Sequence, residues 1–372
     1  MINSTKRLVF VGGGHVHLYS LKFAEKFIEQ NIDITVISPD RFHYYSGMGP
    51  GMLSRIYEPE QLRFDVQKTV GSKGGRFLKG KVTSIDAENK TVFLDGGEKI
   101  DYDVVSFNVG SRVPLHLIEG ANDNAFPVKP IEALERLRNT VLEEMEKGIP
   151  RVLVVGGGPA GVELAGNLWR LVRENQGKAE IILLNSQEKL LPNITPKAGR
   201  LAEQSLSKRG IRIVPNFYAA SLNNGLARSR SGEEIAFDVA VMAIGTEAPD
   251  IFQKSGLKTA KDGAFFVNDY LQSIDSPEIF GGGDCIAVEG KKVDRVGVYA
   301  VREAPILFQN LQNSLQGKPL ERFEPQEKYL LIFNMGDGSG IFVRGSFVWQ
   351  GKLAFTFKNY LDTSFVSRFK IV

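Results

Sequence analysis

The polarity pattern along the chain repeats one grammar twice. Leu8-Val9-Phe10-Val11 is an unbroken apolar run, as expected of a strand buried on both faces of a parallel sheet. Gly12-Gly13-Gly14 follows, and then Leu18, Leu21, Ala24, Phe27 and Ile28 recur at helical spacing. A second apolar run, Ile34-Thr35-Val36-Ile37, ends at Ser38-Pro39-Asp40. The grammar returns at Arg151-Val152-Leu153-Val154-Val155. It turns through Gly156-Gly157-Gly158-Pro159-Ala160-Gly161 and runs into a helix with Val162, Ala165, Leu168, Trp169 and Val172 on one face. The next run, Ile181 to Leu184, stops at Asn185-Ser186. Each copy is a βαβ unit. Each is followed by strand-and-turn material, residues 80–97 and 211–234, and then by an apolar run closing on glycine, Gly110 and Gly245. Gly12 to Gly110 spans 98 residues and Gly156 to Gly245 spans 89, so the chain reads as two copies of one nucleotide-binding fold.

Between the copies, residues 131–147 predict an amphipathic helix with Leu134, Leu137, Val141 and Met145 on one face, bounded by Pro130 and Gly148. Glu278-Ile279-Phe280-Gly281-Gly282-Gly283-Asp284 follows the second copy. Toward the end, residues 329–333, 340–344 and 347–349 read as short strands around glycine turns, and 359–369 as a closing helix. The expected fold is α/β, with two doubly wound Rossmann-like domains and a small C-terminal α+β domain.

Composition narrows the chemistry. With 372 residues the chain has room for two domains and a small third. Its single cysteine, Cys285, excludes an intrachain disulfide, a CxxC pair and a cysteine-built metal site, and four histidines argue against a His-rich metal centre. A net charge of +3, scattered rather than striped, argues against nucleic acid as a partner. No signal peptide and no apolar stretch of about 18 residues are apparent, which points to a cytoplasmic location.

A strand entering GxGxxG and then a helix is a pyrophosphate cradle. The first glycine permits the turn, the second admits the phosphates, the third lets helix and strand pack, and the helix N-terminus stabilises the anion. Residues 156–161 fit this in full. The first loop keeps Gly12 and Gly14 but has His17 in the third place. At the end of the second strand, where an acid would grip the NAD ribose, the copies have Ser38 and Asn185-Ser186. No arginine clamp for a 2′-phosphate is visible, so NADH and NADPH both stay open. Two dinucleotide sites in one chain suggest a relay in which nicotinamide delivers a hydride to a flavin. The N-terminal copy is the natural flavin site if Asp284 accepts from the ribityl hydroxyls; a helix N-cap is the other reading of Asp284.

These loops, with Gly110, Gly245 and Gly283-Asp284, resemble the two-dinucleotide flavoprotein superfamily, which contains disulfide reductases, type II NADH dehydrogenases and sulfide:quinone reductases. Residues 12–17, 45–51, 297–305 and 357–362 are most similar to the type II NADH dehydrogenase-like flavoproteins found alone or fused ahead of selenophosphate synthetase; the chain looks like the stand-alone form. The resemblance implies an FAD domain split between 1–115 and 262–320, an NAD(P) domain at 116–261 and a C-terminal domain at 321–372. It implies that Gly12, Gly13, Gly14 and His15 line the FAD pyrophosphate, with Ser38 near the ribose. Asp284, beside Gly283, would bind the ribityl chain. Residues 45–48 and Pro50 would lie near the flavin ring. Gly156, Gly158, Pro159, Ala160 and Gly161 would face NAD(P)H. Gly110, Gly245 and Ala300 complete the expected binding set, and Glu163, near the flavin–nicotinamide junction, is the catalytic candidate.

Other readings stand beside these. Glu163 near a helix N-terminus also suits the helix dipole. His15 and His17 read as packing residues or a base, and Lys129 as flavin-adjacent or as a surface lysine. Cys285 reads as a buried packing residue. The helix 300–304 carries Arg302-Glu303 where the family has quinone-site glutamines, which departs from the quinone pattern. Phe357, Tyr360, Leu361, Phe365 and Phe369, with Lys358, Arg368 and Lys370 between them, read either as an interfacial membrane helix or as one packed on the sheet domain or a second subunit. The expected activity is FAD-dependent NAD(P)H oxidation, with electrons passed to a quinone or another small-molecule acceptor and no protein dithiol. A soluble selenium or sulfur acceptor and a redox-sensing flavoprotein are the alternatives. Peripheral membrane contact and a homodimer are open.

Overall fold

The structure is a computed structural model and describes residues 5–370. Strand β1 (Lys6–Val11) enters helix α1 (His15–Lys22), and β2 (Ile32–Ser38) and β3 (Arg76–Lys79) follow. An antiparallel meander, β4 (Val82–Asp86), β5 (Thr91–Leu94) and β6 (Lys99–Asp101), leads to β7 (Val104–Phe107). A short β8 (Phe126–Pro127) and α2 (Ala133–Lys147) open the second unit. There β9 (Arg151–Val155), α3 (Pro159–Glu174), β10 (Glu180–Leu184) and β11 (Arg212–Val214) repeat the plan. A second meander, β12 (Ala219–Asn223), β13 (Leu226–Ser229) and β14 (Glu234–Ala236), precedes β15 (Val239–Met242). The chain continues through β16 (Ile279–Gly281), α4 (Gly297–Gln316), the antiparallel strands β17 (Leu330–Asn334), β18 (Gly340–Arg344) and β19 (Phe347–Gly351), and α5 (Lys352–Phe369).

The internal repeat is visible in the strand order. The first sheet runs β16-β7-β1-β2-β3 and the second β8-β15-β9-β10-β11, both fully parallel. Their inner four strands correspond one to one, with a meander inserted before the fourth strand in each. The outer fifth strand differs: it comes from later in the chain in the first sheet and from earlier in the second. Continuous apolar runs suit both sheets because helices cover their faces. Each fully buried Leu, Val, Ile or Phe contributes about 1.5–3 kcal/mol of burial free energy. Phe10, Phe27, Phe107 and Phe280 are such residues in the first core, and Leu153, Leu164, Leu168 and Leu183 in the second.

The chain crosses between the two sheets twice, and the crossings hold each other. Arg112 N–H donates to the Glu247 carbonyl at 2.8 Å and Glu247 N–H to the Arg112 carbonyl at 2.9 Å, with an Arg112–Glu247 ion pair of 2.9 Å beside them. Beyond this crossing the expected boundary at 261/262 falls too late. Ile251, Phe252 and Leu257 are buried in the first core, and the Phe252 ring lies 4.6 Å from Phe265. We place the boundary at the paired crossing itself.

Helix α5 begins at Lys352, earlier than the expected Asn359, and its apolar stripe divides. Phe365 and Phe369 turn inward, and Phe365 stacks on Tyr45 at 4.8 Å and His15 at 5.9 Å. Phe357, Tyr360 and Leu361 stay exposed with Leu353.

Candidate active site

Both glycine loops leave the C-terminal ends of parallel strands, where doubly wound sheets bind ligands. They open on one cavity of about 1370 Å³, larger than the roughly 300–1,000 Å³ that a single drug-sized ligand fills. Gly12, Gly13, Gly14, His15, Ser38, Pro50, Gly110, Glu163, Gly245, Gly283, Asp284 and Ala300 line it, with Gly156, Gly158, Pro159 and Ala160 of the second loop. Of the candidate binding residues only Gly161 is absent from the wall. Its place is behind the loop, where a Cβ would fall on the Gly156 carbonyl oxygen. It is the glycine that lets helix and strand approach.

The first glycines of the two loops do equivalent work. Gly12 (φ +89°) presses on the Asn108 carbonyl and Gly156 (φ +121°) on the Ala243 carbonyl, each at the end of its fourth inner strand. The third position differs in a way that explains His17. The buried His17 ring has Nδ1 2.6 Å from the Gly12 carbonyl, so Nδ1 carries the proton and donates. Nε2 then accepts from the Ser106 hydroxyl at 2.8 Å. Burial pushes the ring down to about 4, and it stays neutral. His17 thus ties by hydrogen bond the turn that Gly161 ties by close packing, and it does not line the cavity.

Asn108, which sequence reasoning missed, knits this loop to the rest of the site. Its Oδ1 accepts from Val16 N–H at 3.0 Å, and its Nδ2 donates to the Gly282 carbonyl at 2.6 Å. The signal was a buried polar residue at a strand end beside Val109-Gly110. Glu303 completes the brace: its Oε2 accepts from Gly283 N–H at 2.6 Å, and burial pushes its carboxyl up to about 7. Glu303 therefore shapes the Gly283-Asp284 turn rather than facing an acceptor.

Asp284 Oδ2 accepts from Lys129 Nζ at 2.5 Å and from the Ser111 hydroxyl at 2.7 Å. Burial acts to raise this carboxyl, but Lys129 and the two hydrogen bonds outweigh it and hold Asp284 below the usual carboxylate range. Lys129 is thus a cavity-wall cation and not a surface lysine. His15 Nδ1 and His43 Nε2 are 3.1 Å apart, while His15 Nε2 is buried on the wall without a partner among the described residues. Burial lowers His15 to about 4 and His43 well below its ordinary value, so the pair is neutral.

Helix α5 packs behind the wall segment that carries Ser46 and Gly47. Lys358 points inward and donates to Asp362 at 2.8 Å and to the Gly47 carbonyl at 2.9 Å, as the packed reading of this helix expects. The Tyr45 hydroxyl donates to Asp362 at 3.1 Å, which carries Tyr45 away from the cavity wall; Met48 is buried. Ser46, Gly47 and Pro50 remain on the wall. Glu163 Oε1 accepts from Asn334 N–H at 2.7 Å, so β17 of the C-terminal sheet fixes its orientation. Burial pushes Glu163 up to about 7, against the opposing charge of Lys358.

The residues fit two dinucleotides. Two helix N-termini, two glycine cradles and an unpartnered buried imidazole nitrogen face one cavity, and Gly158, Gly110 and Gly245 have open space where a Cβ would stand. A model of the pyridine nucleotide-disulphide oxidoreductase family matches residues 6–305. The chain belongs to that family. Among relatives, ferroptosis suppressor protein 1 of Taeniopygia guttata is 30% identical over 386 residues, covering 99% of this chain and 95% of that protein. The type II NADH:quinone oxidoreductase of Staphylococcus saprophyticus is 23% identical, covering 98% and 96%. The fold is shared with NDH2 from Plasmodium falciparum in complex with NADH (TM-score 0.84, 16% identity, 98% and 97% covered). It is shared also with the sulfide:quinone oxidoreductase of Aquifex aeolicus (TM-score 0.80, 20% identity, 98% and 91% covered). Within this disulphide-named family, Cys285 is a packing residue. It is fully buried, its thiol lies 3.4 Å from the Gly282 carbonyl, and burial pushes it up to about 12.

Proposed function

We infer that the protein is an FAD-dependent NAD(P)H oxidoreductase of the type II NADH dehydrogenase kind, with a quinone as acceptor. The observation that carries this is the convergence of both dinucleotide cradles on one cavity with Glu163 on its wall, in a chain with a single, buried cysteine. Bound FAD would supply the carrier that takes a hydride, with its electron pair, from nicotinamide and passes the electrons on. Gly12 to His15, Ser38, Asp284 and Ala300 would hold it, and Gly156 to Ala160 with Gly245 would hold NAD(P)H. The protein's own contribution is orientation and a proton. The loops and strand ends fix both ligands in one geometry. Glu163, with its carboxyl near neutrality, is the wall group able to hold a proton at its Oε and release it toward a reduced acceptor. Glu303 caps the Gly283 turn, so the missing glutamines reflect a different brace of the FAD loop. The names of the relatives above support a quinone acceptor.

The test is turnover: FAD-loaded protein should oxidise NAD(P)H with a short-chain quinone and should not do so with oxidised glutathione. Absence of NAD(P)H oxidation with any quinone, FAD being bound, would overturn the assignment.

No helix among the described residues is long and apolar enough to cross a membrane. Contact with lipid falls instead to the exposed side of α5. Leu353, Phe357, Tyr360 and Leu361 share one face of the helix, and the exposed Phe347 belongs to β19 just before it. The double change Leu353→Glu and Tyr360→Glu is expected to abolish sedimentation with anionic vesicles while short-chain quinone turnover continues. Unchanged sedimentation would refute the contact.

A further inference from the structure

The strand end that should read the adenosine ribose of the nicotinamide dinucleotide is occupied in an unusual way. Asn185 is buried, and its Nδ2 is committed to the carbonyls of Gln187 at 2.8 Å and Lys189 at 3.0 Å. It builds the turn and does not present a carboxylate to ribose hydroxyls. Ser186 and Gln187 are exposed on the cavity wall; Glu188 of the same turn does not line it.

A cation reaches this corner from the meander, far along the sequence. Phe217 N–H donates to the Asn185 carbonyl at 2.9 Å and Asn216 N–H to the Gln187 carbonyl at 3.2 Å, which fastens the start of the meander to the end of β10. Arg230 N–H donates in turn to the Tyr218 carbonyl at 2.9 Å. The Arg230 guanidinium lies 3.9 Å from the centre of the Tyr218 ring, and both residues line the cavity with Ser186. Its neighbour Arg228 is spent on Glu234 at 2.5 Å, whereas Arg230 has no carboxylate partner among the described residues.

We propose that Arg230, held over the Tyr218 ring and assisted by Ser186, is a recognition site for the 2′-phosphate of NADPH, so that the protein takes NADPH at least as well as NADH. This rests on NAD(P)H being the electron donor, as inferred above. The chemistry is direct. An acid at the end of β10 would repel a phosphate, and none stands there. A planar guanidinium offers paired donors to phosphate oxygens, and stacking on an aromatic face restricts it at little further entropic cost. Because Arg230 enters from another element, no motif spacing reveals it.

The test compares wild type with Arg230→Met and Arg230→Lys. Calorimetry with 2′,5′-ADP and 5′-AMP reads the phosphate site without turnover, and flavin reduction by NADPH and NADH reads it in the loaded protein. The NADPH-to-NADH and 2′,5′-ADP-to-5′-AMP affinity ratios should each fall about 10–100-fold in Arg230→Met, the scale of one charge-assisted contact, with Arg230→Lys between. Ratios unchanged in both assays would overturn this inference and leave the dehydrogenase reading intact. If neither nucleotide reduces the flavin, the dehydrogenase reading falls, and the 2′,5′-ADP ratio still decides the role of Arg230.

Discussion

Gly158→Val is expected to fold normally, retain FAD and weaken NAD(P)H binding by a factor of about 100 or more. Gly158 sits at the helix N-terminus with φ −79° and ψ −174°, a conformation open to any residue. Nothing lies within 4 Å of a Cβ built there, so the protein accommodates the side chain and the substitution belongs with mild surface changes of about 0.5 kcal/mol. The space it enters is where a pyrophosphate would meet the helix amides. Displacing two charge-assisted hydrogen bonds of about 1.5–3 kcal/mol each corresponds to roughly 10²–10⁴ in affinity. Gly161→Val is the instructive contrast, because it drives a side chain onto the Gly156 carbonyl and should unfold the second sheet. Calorimetric Tm, flavin-to-protein absorbance and the KM for NAD(P)H separate the cases. A Gly158→Val protein with native NAD(P)H affinity would show that the second loop is not the nicotinamide site.

Glu163→Gln should slow quinone reduction by about 10²-fold, at the lower end of general acid–base effects, with a smaller change in the KM for NAD(P)H. The amide can still accept from Asn334 N–H, so the hydrogen bond to β17 survives. The pH dependence carries the stronger prediction. With the Glu163 carboxyl pushed up to about 7, wild-type quinone reduction falls as pH rises through neutrality and the donor loses its proton. The glutamine variant loses that inflection. Stability moves in the opposite sense. A carboxyl whose folded value is raised from 4.5 to about 7 costs nothing below the lower value and its full amount above the higher one. Glu163→Gln should therefore be at least as stable as wild type at pH 8, which separates lost chemistry from lost fold. An unchanged inflection in the variant would remove Glu163 from the proton path.

The two βαβ units were legible because their signals are local: apolar runs, glycine turns and helical spacing lie within about 30 residues. The common cavity was legible at one remove, through the repeat. What escaped depends on contacts between distant segments. Lys129 and Asp284 are 155 positions apart, and only the fold pairs them. His17 looked like a lost packing glycine because spacing does not show that a ring nitrogen can bind the Gly12 carbonyl instead. Phe365 and Lys358 belonged to a stripe that read either as interfacial or as packed, and only the fold shows that Tyr45 and Asp362 draw both inward. A cation at the Asn185 corner is invisible in the sequence for the same reason, since Arg230 arrives through the meander.

The proposed chemistry is a relay between two bound dinucleotides with no protein dithiol. Anaerobic reductive titration of the FAD-loaded protein tests it most directly. One equivalent of NAD(P)H per FAD should complete the loss of absorbance at about 450 nm, and a short-chain quinone should restore it. A requirement for two equivalents, a failure to bleach, or reoxidation by disulfides but not by quinone would contradict the account.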